Sequence, residues 1–182
     1  MSDDPSTARH LVLVGLMGAG KTTVGERCAE KLGRPFVDTD DLIEATAQLS
    51  VADIFDQFGE AHFRELERQA VADVAASPTP LVIACGGGAV LDADSRRVLR
   101  ANGVVVWLQA PPSVLGERVA GNRARPLLHD GTPVDTLERL ALTRAPAYEA
   151  AAHAVVDTAD RDVDDVARLA LDALDAENAG PA

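Results

Sequence analysis

The sequence predicts a three-layer α/β fold, a five-stranded parallel sheet covered by helices on both faces. Three observations predict it. Five short apolar runs alternate with helical stretches along the chain, the pattern of strands joined by crossover helices. Two of those runs, the first and the third, end in glycine-rich turns, at the strand ends where an open parallel sheet binds its ligands. The length, 182 residues, lies within the range of one domain and suffices for a sizeable core.

Leu11 to Val14 is an apolar run that reads as a buried strand and ends at a glycine-rich turn. Lys21 to Leu32 follows as a helix, with Gly33 and Pro35 as stop signals. Phe36 to Asp38 is a brief second strand, and Asp40 to Ala76 is helical with a break near Gly59. Leu81 to Ala84 is a third strand, ending in Gly86, Gly87 and Gly88. Asp92 to Ala101 reads as a helix, Val104 to Leu108 as a fourth strand and Ser113 to Ala120 as a helix. Gly121 to Thr132 has no apolar periodicity and carries Arg123, Arg125, Pro126 and Gly131, so a mobile loop is expected there. Val134 to Ala150 is helical, Ala154 to Val156 a last strand and Val163 to Leu174 a closing helix. Without repeat or linker, the chain reads as a single domain with its core at about residues 10–176 and frayed ends.

Composition excludes several classes of function. No apolar run approaches the ~20 residues that span a bilayer, and the acidic, polar N-terminus lacks a signal-peptide pattern. Cys28 and Cys85 make no disulfide framework and match no metal spacing, so a cytoplasmic location is expected. A net charge of −12 argues against sequence-independent nucleic-acid binding, which depends on Lys and Arg neutralising phosphates. Lys21 and Lys31 are the only lysines, so an anionic ligand must be held by them, by arginines or by backbone amides.

Gly15-Leu16-Met17-Gly18-Ala19-Gly20-Lys21-Thr22 fits G-x-x-x-x-G-K-[ST] between a predicted strand and a predicted helix, the context a phosphate loop requires. Its glycines let successive N–H groups of Gly18, Ala19, Gly20, Thr22 and Thr23 turn inward, and the helix N-terminus adds partial positive charge. Lys21 supplies a full charge to the β and γ phosphates, and the Thr22 hydroxyl can ligate Mg²⁺. The motif alone specifies a nucleoside triphosphate. The size, and the absence of an Asn-Lys-x-Asp guanine signature, favour a compact ATP-using kinase.

Asp38-Thr39-Asp40 closes the second predicted strand, where residues two apart share a face about 7 Å apart. Two acids beside a phosphate loop suit a division of labour, one for magnesium and one to orient a substrate hydroxyl. Helix capping by Asp40 is the plain alternative. Arg64 and Arg144 lie on predicted helices, where an arginine is ordinarily a surface residue. Gly87 and Gly88 permit either a backbone-lined pocket or a tight turn.

Taken together, GLMGAGKTT at Gly15–Thr23, Asp38-Thr39-Asp40, Phe58-Gly59-Glu60 with Phe63-Arg64 and Glu67, Gly86-Gly87-Gly88-Ala89-Val90, Arg125-Pro126-Leu127-Leu128, and Arg144-Ala145-Pro146 with Tyr148 resemble the shikimate kinases, from about Leu11 to about Val163. The resemblance implies the strand order 2-3-1-4-5 and transfer of the γ-phosphoryl group of ATP to shikimate; a monomer is expected separately, since the sequence has no long apolar patch. It implies that Asp40 binds the ring hydroxyls and serves as base. It also implies that Arg64 and Arg144 clamp the carboxylate, that Gly87 and Gly88 offer backbone contacts and that Glu67 braces Arg64. Thr22 and Asp38 would serve magnesium, Arg125 would close over the phosphates from a lid, and Arg118 and Arg161 would pack on the adenine. Two features differ from the family's usual pattern: Thr22 where serine is common, and an acidic Asp160–Val163 stretch without a proline often found there. A related small-molecule kinase, such as a gluconate kinase, and a non-catalytic nucleotide-binding regulator are the alternatives.

Overall fold

The computed structural model describes residues 9–120 and 132–180. Its five strands are β1 (His10–Val14), β2 (Phe36–Asp38), β3 (Val82–Ala84), β4 (Gly103–Gln109) and β5 (Ala154–Asp157). All neighbours pair in parallel, in the order β2-β3-β1-β4-β5, as expected. The central strands are buried, save Gln109 at the end of β4, which explains why β1 and β4 are near-continuous apolar runs and do not alternate. The connecting helices are α1 (Lys21–Leu32), α2 (Thr39–Ala47), α3 (Val51–Ala75), α4 (Ala93–Asn102), α5 (Pro112–Val119), α6 (Pro133–Ala151) and α7 (Val163–Ala179). On one side α1 packs against α7, and on the other α4 packs against α3 and α6, giving the three layers.

Local chemistry sets most boundaries. Gly33 ends α1 in a left-handed conformation, with φ 63°, that releases its N–H to the carbonyls of Ala29 and Glu30. Ser50, Asp92, Thr132 and Asp162 each cap a helix by accepting from the backbone N–H three residues on. The expected break at Gly59 is present, as a residue with φ 80° and ψ 172° inside α3.

Three expectations need correction. The stretch after β2 is two helices, because Gln48 adopts φ 54° and Ser50 starts a new one. The second strand ends at Asp38, so Asp40 lies in the first turn of α2 and the strand spacing does not relate the two acids. Capping of α2 also falls to Asp38, whose Oδ1 accepts from the Asp40 N–H at 3.0 Å. The closing helix, finally, runs on to Ala179. Of the loop expected at Gly121–Thr132, residues 121–131, with Arg125, lie outside the described residues, and Thr132 is the cap of α6.

Candidate functional site

The C-terminal ends of β1, β2 and β3 meet at one edge of the sheet, and the predicted residues gather there in two parts. The first part is the turn between β1 and α1. Gly15, Gly18 and Gly20 have φ of 143°, 82° and 89°, a region that side chains rarely enter. Space forbids side chains as well, since a Cβ on Gly18 would lie 2.9 Å from the carbonyl oxygen of Leu115. Helix α1 follows Gly20 at its N-cap, with no side-chain cap and no acidic residue in its first turn. Its first N–H groups therefore face outward as an anion site with favourable dipole. Lys21 Nζ donates to the carbonyl of Leu16 at 3.1 Å, which curls the charged end back over the loop. Thr22 Oγ1 donates to Asp38 Oδ2 at 2.8 Å, so the two predicted magnesium residues are adjacent although 16 positions apart.

A hydroxyl and a carboxylate are the hard oxygen donors Mg²⁺ prefers, and a phosphate-bound Mg²⁺ needs only one or two of them. Among the described residues no group of three or more His, Cys, Asp or Glu side chains is placed to hold a metal by itself. The pair fits a metal whose remaining ligands are phosphate oxygens and water.

The second part is an acid-and-arginine pocket over Gly86–Gly88. Asp40 and Glu67 converge on Gly86, where a Cβ would lie 2.5 Å from Asp40 Oδ1 and 2.6 Å from Glu67 Oε1. At Gly88 a Cβ would collide with the Arg64 guanidinium. The glycine run is thus required by close approach of charged side chains. Arg64 Nη1 donates to Glu67 Oε2 at 2.7 Å, while Nε and Nη2 donate to Glu60 Oε1 at 3.2 and 2.9 Å. Arg144, a buried residue on α6, donates from Nη1 to the Gly87 carbonyl at 2.9 Å, and the Tyr148 hydroxyl donates to the same oxygen at 2.7 Å.

Burial and charge compete here. Burial pushes the Glu67 carboxyl above the usual glutamate range, against the lowering effect of Arg64 and Arg144. Burial works against the charge of Arg64, but the Glu67 and Glu60 carboxylates more than offset it and hold the guanidinium above its ordinary value. The buried Tyr148 phenol is pushed up to about 12, so it stays a donor at any working pH.

The two parts touch at Gly87, where a Cβ would lie 3.5 Å from Arg144 Nη1 and 3.6 Å from the Gly15 carbonyl oxygen of the phosphate loop. A small molecule seated between Arg64 and Arg144 would therefore lie beside the glycine-rich loop between β1 and α1.

Arg118 points elsewhere. It clasps the loop after β5, donating to Thr158 Oγ1 at 3.0 Å and to the Thr158 carbonyl at 2.6 Å, and it reaches the Gly18 carbonyl at 3.3 Å. Arg161 is exposed on that same loop. Two further residues position the pocket. Thr39, fully buried, accepts from the Gly86 N–H through Oγ1 at 2.9 Å and so ties α2 to the glycine run. Trp107 stacks on Tyr148 with ring centroids 5.3 Å apart and fixes the ring that holds Gly87. A threonine between two acids gave the only hint of the first. For Trp107, the sequence offered nothing beyond a strand residue suited to packing.

Comparison with known proteins identifies the family. The family model described as shikimate kinase matches residues 17–175. A shikimate kinase of Symbiobacterium thermophilum is 48% identical over 167 residues, covering 91% of this chain and 95% of its own. The solved structure of shikimate kinase from Acinetobacter baumannii in complex with shikimate superposes with a TM-score of 0.90 at 36% identity, over 94% of this chain and 96% of that one. A gluconokinase from Sinorhizobium meliloti shares the fold, with a TM-score of 0.62 at 23% identity over 95% of each chain. With a sheet in the predicted order, a phosphate loop beside a two-arginine pocket, and a family match over most of its length, this chain belongs to the shikimate kinase family.

Proposed function

We propose that this protein transfers the γ-phosphoryl group of ATP to a ring hydroxyl of shikimate, giving shikimate 3-phosphate. The observation that supports it best is the contact at Gly87, which sets an arginine-lined pocket directly against the phosphate loop.

In this reading Arg64 and Arg144 grip the substrate carboxylate, since a guanidinium fork offers two parallel charge-assisted bonds. The backbone at Gly87 and Gly88 lines the same pocket without side chains in the way. With the acid end fixed, the ring hydroxyls face Asp40, whose carboxylate orients the attacking one and accepts its proton. Mg²⁺ bound by Thr22 and Asp38 would supply charge neutralisation on the phosphates. Lys21 adds its charge at the transferring group, and the amides of Gly18, Ala19, Gly20, Thr22 and Thr23 hold the phosphates in line. Arg118 and Arg161 flank the adenine, and Arg125 completes the charge cover.

The working unit is a cytoplasmic monomer acting on small molecules. Free, buried thiols at Cys28 and Cys85 suit a reducing compartment, and a net charge of −12 disfavours nucleic acid. No helix among the described residues is long and apolar enough to cross a membrane.

The test is ADP release from Mg-ATP with and without shikimate, beside gluconate and quinate. Release dependent on shikimate alone is the expected result. Gluconate-dependent release would replace the substrate, and ATP binding without any turnover would replace the enzyme by a regulator.

A further inference from the structure

We infer that Glu60 is a stand-in for the substrate carboxylate: it occupies one edge of Arg64 in the free enzyme and is displaced when substrate binds. This deepens the reading above, in which Arg64 holds the acid group of shikimate.

Arg64 lies between two carboxylates on α3, with Glu60 one turn before it and Glu67 one turn after. Three of its five N–H groups are engaged, Nη1 by Glu67 and both Nε and Nη2 by a single oxygen of Glu60. The Nε/Nη2 edge is one that can hold a carboxylate through two parallel bonds. Glu60 fills it with one oxygen only, at 3.2 and 2.9 Å.

The two acids differ in what they can do. Glu67 is 3% exposed and packed close under Gly86. The Glu60 side chain is 57% exposed and follows Gly59 directly. At Gly59 the helix is interrupted, and nothing lies within 4 Å of the place a Cβ would occupy. Glu60 thus starts a fresh helical segment at the solvent edge, with free space behind it. It also lines a recess of about 360 Å³ together with Leu91, Arg139, Leu140, Thr143 and Arg144. Arg139 places a second cation in the recess that Glu60 lines.

Charge makes displacement the consistent outcome. A substrate carboxylate added beside both Glu60 and Glu67 would place three anions on one guanidinium. A carboxylate that also reaches Arg144 gains two cations, whereas Glu60 gives up an exposed pair of small net value. A neutral polyol gains neither cation and leaves Glu60 in place. Glu60 thereby lowers affinity for every carboxylate while keeping Arg64 extended over Gly88, and it holds the pocket against uncharged alcohols.

The experiment titrates wild type and Glu60→Gln with shikimate, its methyl ester and cyclohex-1-ene-1-carboxylate, by calorimetry. Glu60→Gln is expected to bind both acids about two- to fivefold more tightly, the range of an exposed ion pair. The ester should change little, and the gain should vanish when Arg64→Met is added. Unchanged or weaker binding of the acids by Glu60→Gln would overturn the inference. So would an equal change for acid and ester, which marks a general effect on α3. If cyclohexenecarboxylate binds more tightly to the variant while shikimate binds to neither protein, the stand-in role holds and the proposed substrate fails. If wild type binds shikimate and the variant binds it no better, the substrate holds and the stand-in role fails.

Discussion

The phosphate loop and the acid pocket lie side by side, yet they are built on opposite principles. The loop is local: residues 15–23 contain it, and the groups proposed to bind phosphate there are backbone amides and one lysine. Its geometry follows from three glycines at positive φ and a helix start left uncapped. The pocket is assembled from α2, α3, the β3 turn and α6, with partners as far apart as Gly87 and Tyr148. Its geometry follows from buried charges that constrain one another. A local anion site tolerates change in its surroundings, whereas a buried ionic network fails when any member is removed, because the remaining charge is left uncompensated.

That contrast sets the expected effects of mutation, largest first. Lys21→Ala removes a charge from the transferring group and should lower kcat by about 10²- to 10³-fold, with shikimate affinity nearly unchanged. A comparable loss of shikimate binding would show that the two parts are coupled. Arg144→Ala should do the reverse, weakening shikimate by roughly 2–4 kcal/mol and leaving ATP binding nearly intact in calorimetry. Equal loss of both ligands in a folded protein would break the division. Gly88→Ala drives a methyl group into the Arg64 guanidinium. It should cost about 1–3 kcal/mol of stability in urea unfolding and raise the KM for shikimate. Gly33→Ala, where the backbone, unlike that of Gly88, is left-handed and open space surrounds it, should cost about 1 kcal/mol and leave KM alone.

The smallest effect lies at the opposite edge of the sheet and serves as a control. His10 Nδ1 accepts the Leu81 N–H, and His153 Nδ1 accepts the Val105 N–H, each at 3.0 Å. Burial lowers the His10 pKa, with a further push from Arg34 against a backbone contact at Ala75. Burial lowers that of His153 too, helped by Arg100 and Arg9 and opposed by Glu177. Unfolded histidine takes up a proton near pH 6.5 while the folded rings resist it. Stability should therefore be full above about pH 6.5 and decline as pH falls below it. His153→Asn, whose Oδ1 accepts without titrating, should flatten the decline of Tm between pH 6.5 and 5. An unaltered profile would place the titration elsewhere.

Glu67 runs the other way. Its raised carboxyl pKa means the folded state binds a proton before the unfolded one as pH falls. Stability from this group rises as pH drops toward the usual glutamate range, partly masking the histidines. Glu67→Gln should make the acid-side loss steeper.

Much of the molecule was legible in order along the chain. Apolar runs marked every strand, and Gly33 and Gly59 marked a helix end and a kink through their left-handed backbone. The break at Gln48–Ser50 has no signal at Gln48, which has no preference for the φ of 54° it adopts between the packed helices α2 and α3. Asp38 and Asp40 were seen as a pair for the wrong reason. A strand would have aligned them, but the chain turns helical at Thr39, so Asp38 caps the helix and faces Thr22 while Asp40 turns toward Gly86.

The sequence by itself determined the phosphate loop, since everything that shapes it lies within one short stretch of backbone. Through the ordered set of family motifs, it also pointed to the residues of the acid pocket. Only the tertiary structure decided how those residues share their charges. Glu67 bears on Arg64 from a buried site and Glu60 from solvent, although both are one turn away on the same helix. Spacing along a helix makes the two acids equivalent. Burial, which depends on where Gly86 and α6 come to lie, makes one a fixture and the other a movable ligand.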